Sequence, residues 1–155
     1  MTRYHLAQIN IARAVADLDS PLMAGFVSRL EEINGLAERA KGFVWRLQSA
    51  AGDATSIRVF DDPRTYINLS VWEMPEDLKN FVYRTAHVEL IRDRETWFSR
   101  LPEQHQAAWW VPAGYRPSAE EGRDRLLQLR AQGPSADAFT LARPFPLPTA
   151  TCASP

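Results

Sequence analysis

The stretch YINLSVWE, residues 66–73, constrains this chain more than any other. A strand turns successive side chains to opposite faces. Ile67, Leu69 and Val71 therefore share one face, and Asn68, Ser70 and Trp72 share the other. The first face is ordinary core. The second suits water, a pocket or a partner. Such a strand demands a sheet whose two sides are covered differently.

The neighbouring segments fit that sheet. Residues 4–11 are β-rich, with Tyr4, Leu6, Gln8 and Asn10 alternating against His5, Ala7, Ile9 and Ile11. Residues 19–42 predict a long helix. Ser20 is its N-cap and Pro21 its first position. Leu22, Phe26, Leu30, Ile33, Ala37 and Ala40 form its apolar stripe, and Gly42 supplies the stop. Residues 43–48 read as a second strand with Phe43, Trp45 and Leu47 on one face. Residues 56–60 read as a short strand or strand extension.

A second long helix is predicted over 74–102, opened by Pro75 and an acidic first turn. Leu78, Phe81, Val82 and Thr85 share one of its faces, and His87 lies roughly opposite. The periodicity shifts between Arg84 and Thr85, which predicts two helical pieces. On the second piece His87, Leu90, Ile91, Arg94 and Phe98 form a stripe. Residues 104–111 read as a further strand carrying Trp109 and Trp110. Residues 118–132 read as a third helix, with Ser118 and Glu121 at capping-box spacing.

The order β-α-β-β-α-β, then α and a tail, is the ferredoxin-like pattern. It predicts an α+β fold with helices on one sheet face. The other face then needs a cover, and the simplest is the same sheet from a second copy, giving a homodimer. One domain is expected over residues 1–145, with a Pro-rich flexible tail over 146–155.

Composition excludes several classes. The chain has 155 residues and a net charge of −1, which gives no electrostatic footprint for nucleic acid. No stretch has the length of a membrane span, and the N-terminus lacks the apolar core of a signal peptide. A cytoplasmic protein with no membrane partner is expected. The single cysteine, Cys152, lies in the tail with no base to activate it. No phosphate-binding glycine loop, nucleophile elbow or zinc motif is present. His5 and His105 belong to opposite ends of antiparallel strands, which argues against a site built from all three histidines.

His87 is the most site-like residue, and three readings of it stay open. It can be a histidine bonded to a backbone carbonyl. It can be an axial ligand of haem iron, because a neutral imidazole on an apolar helix face meets that requirement. Leu90, Ile91 and Phe98 would then pack on the macrocycle, and Arg94 or Arg84 would pair with a propionate. It can also be a general base in a cofactor-free pocket binding a small molecule.

The segments YHLAQINIAR, GFVWRLQ, SVWE, FVYRTAH, WWVPAGYRPS and GPSADAFT together resemble an uncharacterised bacterial domain family. That family is similar to the antibiotic-biosynthesis-monooxygenase superfamily of dimeric α+β barrels. The resemblance spans roughly residues 4–141. Relatives in the superfamily include cofactor-free quinone-forming monooxygenases, haem-degrading monooxygenases and spheroidene monooxygenase. In the haem-degrading enzymes a strand ending in Trp-Glu leads into a helix with the proximal histidine. SVWEMPEDLKNFVYRTAHVEL is similar, with His87 at the ligand position. Asn10 matches the asparagine those enzymes place over the haem, while Phe81 and Tyr83 stand near where they carry a tryptophan.

The resemblance implies a haem-binding protein, in its fullest form a haem-dependent monooxygenase. His87 would be the axial ligand, Arg94 the propionate partner, and Asn10, Gln8, Asn68 and Trp72 distal or wall residues. The alternative is a cofactor-free monooxygenase or isomerase. His87 would then be the base, and Trp72, Trp109 and Tyr66 would hold an aromatic ring. A non-catalytic small-molecule-binding dimer is the third expectation.

Overall fold

Leu6, Ala7, Gln8 and Ile9 are buried in succession. A strand buried on both faces must lie inside a sheet that is covered on both sides. The computed structural model describes residues 3–49, 52–84 and 94–148, and only the backbone of Arg84, Arg94 and Glu95. In it β1 (Tyr4–Ala14) is the central strand. β2 (Phe43–Arg46) pairs with β3 (Thr65–Trp72), and β3 pairs antiparallel with β1. On the other side of β1 stand the two-residue β4 (Phe98–Ser99) and β5 (Gln106–Pro112). The order β2-β3-β1-β5 is that of the ferredoxin-like α+β fold.

The helices are α1 (Ala24–Arg39), α2 (Pro75–Arg84), the single turn α3 (Arg94–Trp97) and α4 (Ala119–Gln132). A 3-10 turn, Pro21–Met23, precedes α1, and the Ser20 hydroxyl accepts a hydrogen bond from Leu22 N at 3.3 Å. The cap is where the sequence puts it, but Leu22 sits in the turn rather than on the helix and is 66% exposed. No α1 side chain is fully buried. Ser118 caps α4 by accepting from Glu121 N at 3.0 Å.

The main departure from the sequence reading is α4. The helices do not share one layer. Ala119, Leu126 and Leu129 of α4 pack on Ala7, Ile9, Ile67, Leu69 and Val71, the aliphatic sheet face. The face expected to need a second copy is thus covered by the chain's own C-terminal helix. Close approach depends on Gly122. A β-carbon there would stand 3.0 Å from Ile9 Cδ1 and 3.4 Å from Leu69 Cδ1. Gly122→Val is expected to push α4 off the sheet and cost about 1–3 kcal/mol, read as a lower urea midpoint. An unchanged midpoint would mean that α4 is not seated on this glycine.

Smaller departures have local causes. β1 runs three residues past the expected end because β4 and the Arg64 carbonyl, 2.9 Å from Ala14 N, give it further partners. Phe98 is in a strand, opposite Ala14, so the helical stripe expected to end on it does not extend that far. The register shifts between Phe43 and Trp45. Phe43 therefore joins Trp72 and Phe81 on the helix side, whereas Trp45 and Leu47 join the α4 side. Residues 56–60 form no strand. Ile57, Val59 and Phe60 pack on the aliphatic cluster from an irregular loop.

That loop is pinned at its end by Asp62. Its carboxylate accepts from Arg64 N and Thr65 Oγ1, both at 3.0 Å, and pairs with Arg13 at 2.7 Å. The Arg64 backbone hydrogen bond above all, then the Thr65 hydroxyl and the two arginine charges, hold the Asp62 carboxyl below its usual value of 3.8 against a smaller desolvation effect. A depressed folded-state pKa means stability that is fully present above the unfolded value and lost as pH falls through the folded one. Carbon-detected NMR titration is expected to give Asp62 a midpoint under that of a free aspartate. A midpoint at or above 3.8 would contradict this anchoring.

Candidate functional site

The second sheet face is not uniform. At one end Leu6, Trp72 and Ala108 pack with Leu78, Phe81 and Phe139. At the other, Ala14, Met23 and Trp97 pack with Phe26, Tyr66 and Phe98. Between these clusters the strands present polar side chains. Cross-strand register sets Gln8 beside Ser70 and Asn10 beside Asn68 on one side, and Asn10 beside Gln106 on the other. The period of two and the antiparallel register together gather these groups into one amide strip.

The strip is joined by a run of side-chain hydrogen bonds. Tryptophan can only donate, so Trp72 Nε1, 2.9 Å from Ser70 Oγ, makes that hydroxyl an acceptor. Gln8 Nε2 donates both to Ser70 Oγ and to Asn68 Oδ1, each at 2.8 Å. Gln8 Oε1 accepts from Asn10 Nδ2 at 3.3 Å. Gln8 is 3% exposed. The Asn68 carbonyl accepts from Gln8, and its amide N–H2 has no protein partner among the described residues. Asn68 is exposed although it lies in the middle of β3. Solvent therefore reaches the strip there, and what meets it is a hydrogen-bond donor. Gln106 adds a buried Nε2 with no partner among the described residues, while its Oε1 accepts from Leu141 N at 3.2 Å.

Of the residues singled out in the sequence, Gln8, Asn10, Asn68 and Trp72 come together here. Trp72 is 1% exposed and fills the core between Phe43 and Phe81, at ring-centroid distances of 5.5 Å to each. Phe98 is at the far end, edge-on to Phe26 at 4.9 Å. Trp109 does not join them. It lies on the α4 side of the sheet, 0% exposed, and so does not hold a ring on this face. His87, Leu90 and Ile91 lie outside the described residues, as does the Arg94 side chain. Ser70 and Gln106 were not singled out as site residues. Ser70 shares the face that alternation marked, whereas Gln106 is found only through its register with Asn10.

Among the described residues this face carries no imidazole or thiolate that could meet an iron, and no cluster of metal-binding side chains is present. His5 is in register with Val111, and the His105 carbonyl meets Ile11 N at 2.9 Å, so the two lie at opposite ends of β1. The fit of a haem therefore hinges on His87. The described floor by itself is an amide surface. A separate open cleft of about 300 Å³ lies at the C-terminal end of α4. Its Arg130 is already engaged with the Gln104 carbonyl at 2.7 Å and Glu103 at 3.8 Å.

No helix among the described residues is long and apolar enough to cross a membrane. Solved structures similar to this chain include SnoaB, a cofactor-independent oxygenase from Streptomyces nogalater. It is 13% identical, covering 74% of this chain and 96% of that one, with a TM-score of 0.46. A candidate antibiotic biosynthesis monooxygenase from Nitrosomonas europaea is 16% identical, covering 76% and 97%, with a TM-score of 0.46. Another from Chloroflexus aurantiacus is 16% identical, covering 74% and 97%, with a TM-score of 0.45. No curated protein matches the chain. A family model, described as a domain of unknown function (DUF3291), matches residues 5–154, and the chain belongs to that family.

Proposed function

We propose that the protein is a cofactor-free monooxygenase acting on a small hydroxylated aromatic molecule, with the amide strip as the binding floor for the substrate's oxygen. The observation that carries this reading is the Asn68 amide, exposed in mid-strand and bonded to Gln8. Its carbonyl is held by buried Gln8, so a donor faces an opening in an otherwise covered sheet. Preorganised donors in a partly dry site stabilise a developing oxyanion strongly. Tyr66 and Phe26 of the adjoining cluster supply apolar and aromatic surface for a flat ring.

In the proposed reaction a phenol with a free para position takes up one dioxygen and leaves as the para-quinone with one water. One oxygen atom becomes the new carbonyl. The other departs with the two hydrogens lost from the ring carbon and the hydroxyl, and dioxygen takes four electrons in all. The proton of the phenol passes to a base, for which His87 remains the proposed residue. Asn68, with Asn10 beside it, holds the resulting phenolate oxygen.

The test uses 1-naphthol in air, following 1,4-naphthoquinone by absorbance and oxygen uptake by electrode. Equal amounts of quinone formed and oxygen consumed are expected from protein free of added haem. Asn68→Asp replaces the donor by a negative acceptor and is expected to lower the rate by about 10²–10³. Turnover that appears only when haem is supplied, with a Soret band lost in His87→Ala, would overturn this reading in favour of a haem enzyme. Naphthol binding undiminished by Asn68→Asp would remove the strip from the site.

A further inference from the structure

An open antiparallel sheet recruits a second copy through an apolar face or through an unpaired edge. Here one continuous stretch, residues 118–145, occupies both. On the aliphatic face, Ala119, Leu126 and Leu129 of α4 pack with Ile9, Leu69 and Trp109. Beyond β5, Phe139 pairs with Ala108 through two backbone bonds. Phe139 N donates to the Ala108 carbonyl at 2.9 Å, and Ala108 N to the Phe139 carbonyl at 2.8 Å. Ala138 joins the aliphatic cluster and Phe139 the helix-side cluster, so the segment alternates like an added strand. At the opposite edge β2 has four residues and a register shift, and both features blunt edge pairing.

The cover is narrow in apolar contact and rich in polar ties. α4 buries two leucines, one alanine and one glycine. Three of its arginines reach backbone carbonyls of three other segments. Arg125 Nη1 donates to the Asp137 carbonyl at 2.8 Å, and Arg130 Nε to the Gln104 carbonyl at 2.7 Å. Arg123 Nη1 reaches the Val59 carbonyl at 3.5 Å, in the loop whose Ile57, Val59 and Phe60 also pack on this face. The surface beneath is broad. Ala7, Ile9, Ile67, Leu69, Val71 and Trp109 belong to one cluster across three antiparallel strands. Two such faces pack about 10 Å apart with their strands nearly aligned, and a face matched to itself closes as a twofold pair.

We propose that this aliphatic face is a self-association surface that fits the same face of a second copy, and that residues 118–145 hold it shut within each chain. The intact protein is then a monomer, and loosening α4 lets two copies pair. The amide strip lies on the opposite face of the sheet, so the proposal stands apart from what the strip binds.

Sedimentation equilibrium between about 1 and 100 µM, with urea midpoints at both ends of that range, tests this. The wild-type protein is expected to keep the mass of one chain and a single midpoint throughout. Gly122→Val, which wedges α4 away from Ile9 and Leu69, is expected to pass to the mass of two chains as concentration rises, with a midpoint that climbs alongside. The double variant Arg125→Ala, Arg130→Ala removes two of the ties and adds no bulk. It is expected to associate in the same way, and it carries the test if the valine variant does not fold. A wild-type mass of two chains overturns the proposal. So do folded variants that keep the mass of one chain at the top concentration, whether or not hydrogen exchange shows α4 released. Association that runs past two copies also overturns it, because that is the behaviour of a merely sticky surface.

Discussion

Trp109→Ala is expected to destabilise the protein by about 3–5 kcal/mol, the usual cost of emptying a large buried aromatic site. Trp109 is 0% exposed at the centre of the cluster between sheet and α4. Its Nε1 also donates to Glu121 Oε2 at 3.0 Å, and the Arg125 guanidinium lies 5.8 Å from its ring. Glu121 further accepts from the exposed Tyr115 hydroxyl, a bond that raises the Tyr115 pKa above its usual 10.0. One tryptophan therefore both fills the core and ties α4 to β5. Trp109→Phe keeps most of the ring but not the N–H, and is expected to cost about 1–2 kcal/mol. Chemical unfolding gives both numbers, and hydrogen exchange should show α4 amides losing protection first. A Trp109→Ala loss under about 1 kcal/mol would show that α4 is held by something other than this contact.

Gly42→Ala should be nearly as damaging although it adds one methyl group. Gly42 has φ +83°, a left-handed conformation that side chains avoid at about 1–2 kcal/mol. A β-carbon there would also stand 2.0 Å from Asp77 Oδ2 and 2.5 Å from Asp77 Cβ. Asp77 is 8% exposed in the first turn of α2, so it has little room to withdraw. The Gly42 carbonyl meanwhile accepts from Glu73 N at 2.7 Å, joining the end of α1 to the end of β3. Overpacking adds about 1–3 kcal/mol, for a total of about 2–5 kcal/mol. The double variant Gly42→Ala, Asp77→Ala is expected to recover the carboxylate part of the clash and not the conformational part. A thermal midpoint within a degree of the wild type for Gly42→Ala would refute both terms.

Much of the candidate site can be read along the chain. Alternation alone places Asn68, Ser70 and Trp72 on one face of one strand, and Gln8 with Asn10 on one face of another. It does not say that these faces coincide, because that depends on pairing register, and a shift of one residue would have separated them. Gln106 was beyond reach for the same reason. It enters through register with Asn10. His87, Leu90 and Ile91 of the stripe, and the Arg94 side chain, lie outside the described residues. The stripe's other member, Phe98, takes strand pairing with Ala14 instead of a helical place.

The sequence by itself determined most of the element types, the caps at Ser20 and Ser118 and the two-faced character of β3. These follow from local periodicity and from backbone preferences confined to a few residues. α1 stops at Arg39 on an extended Ala40, and left-handed Gly42 serves the turn into β2 instead. The tertiary structure decided which layer α4 joins and which side chains meet in the strip. Each of these depends on contacts between residues far apart in the chain. Gly122 is the clearest case: in the sequence it weakens a helix, and in the fold its missing side chain lets that helix close over Ile9 and Leu69.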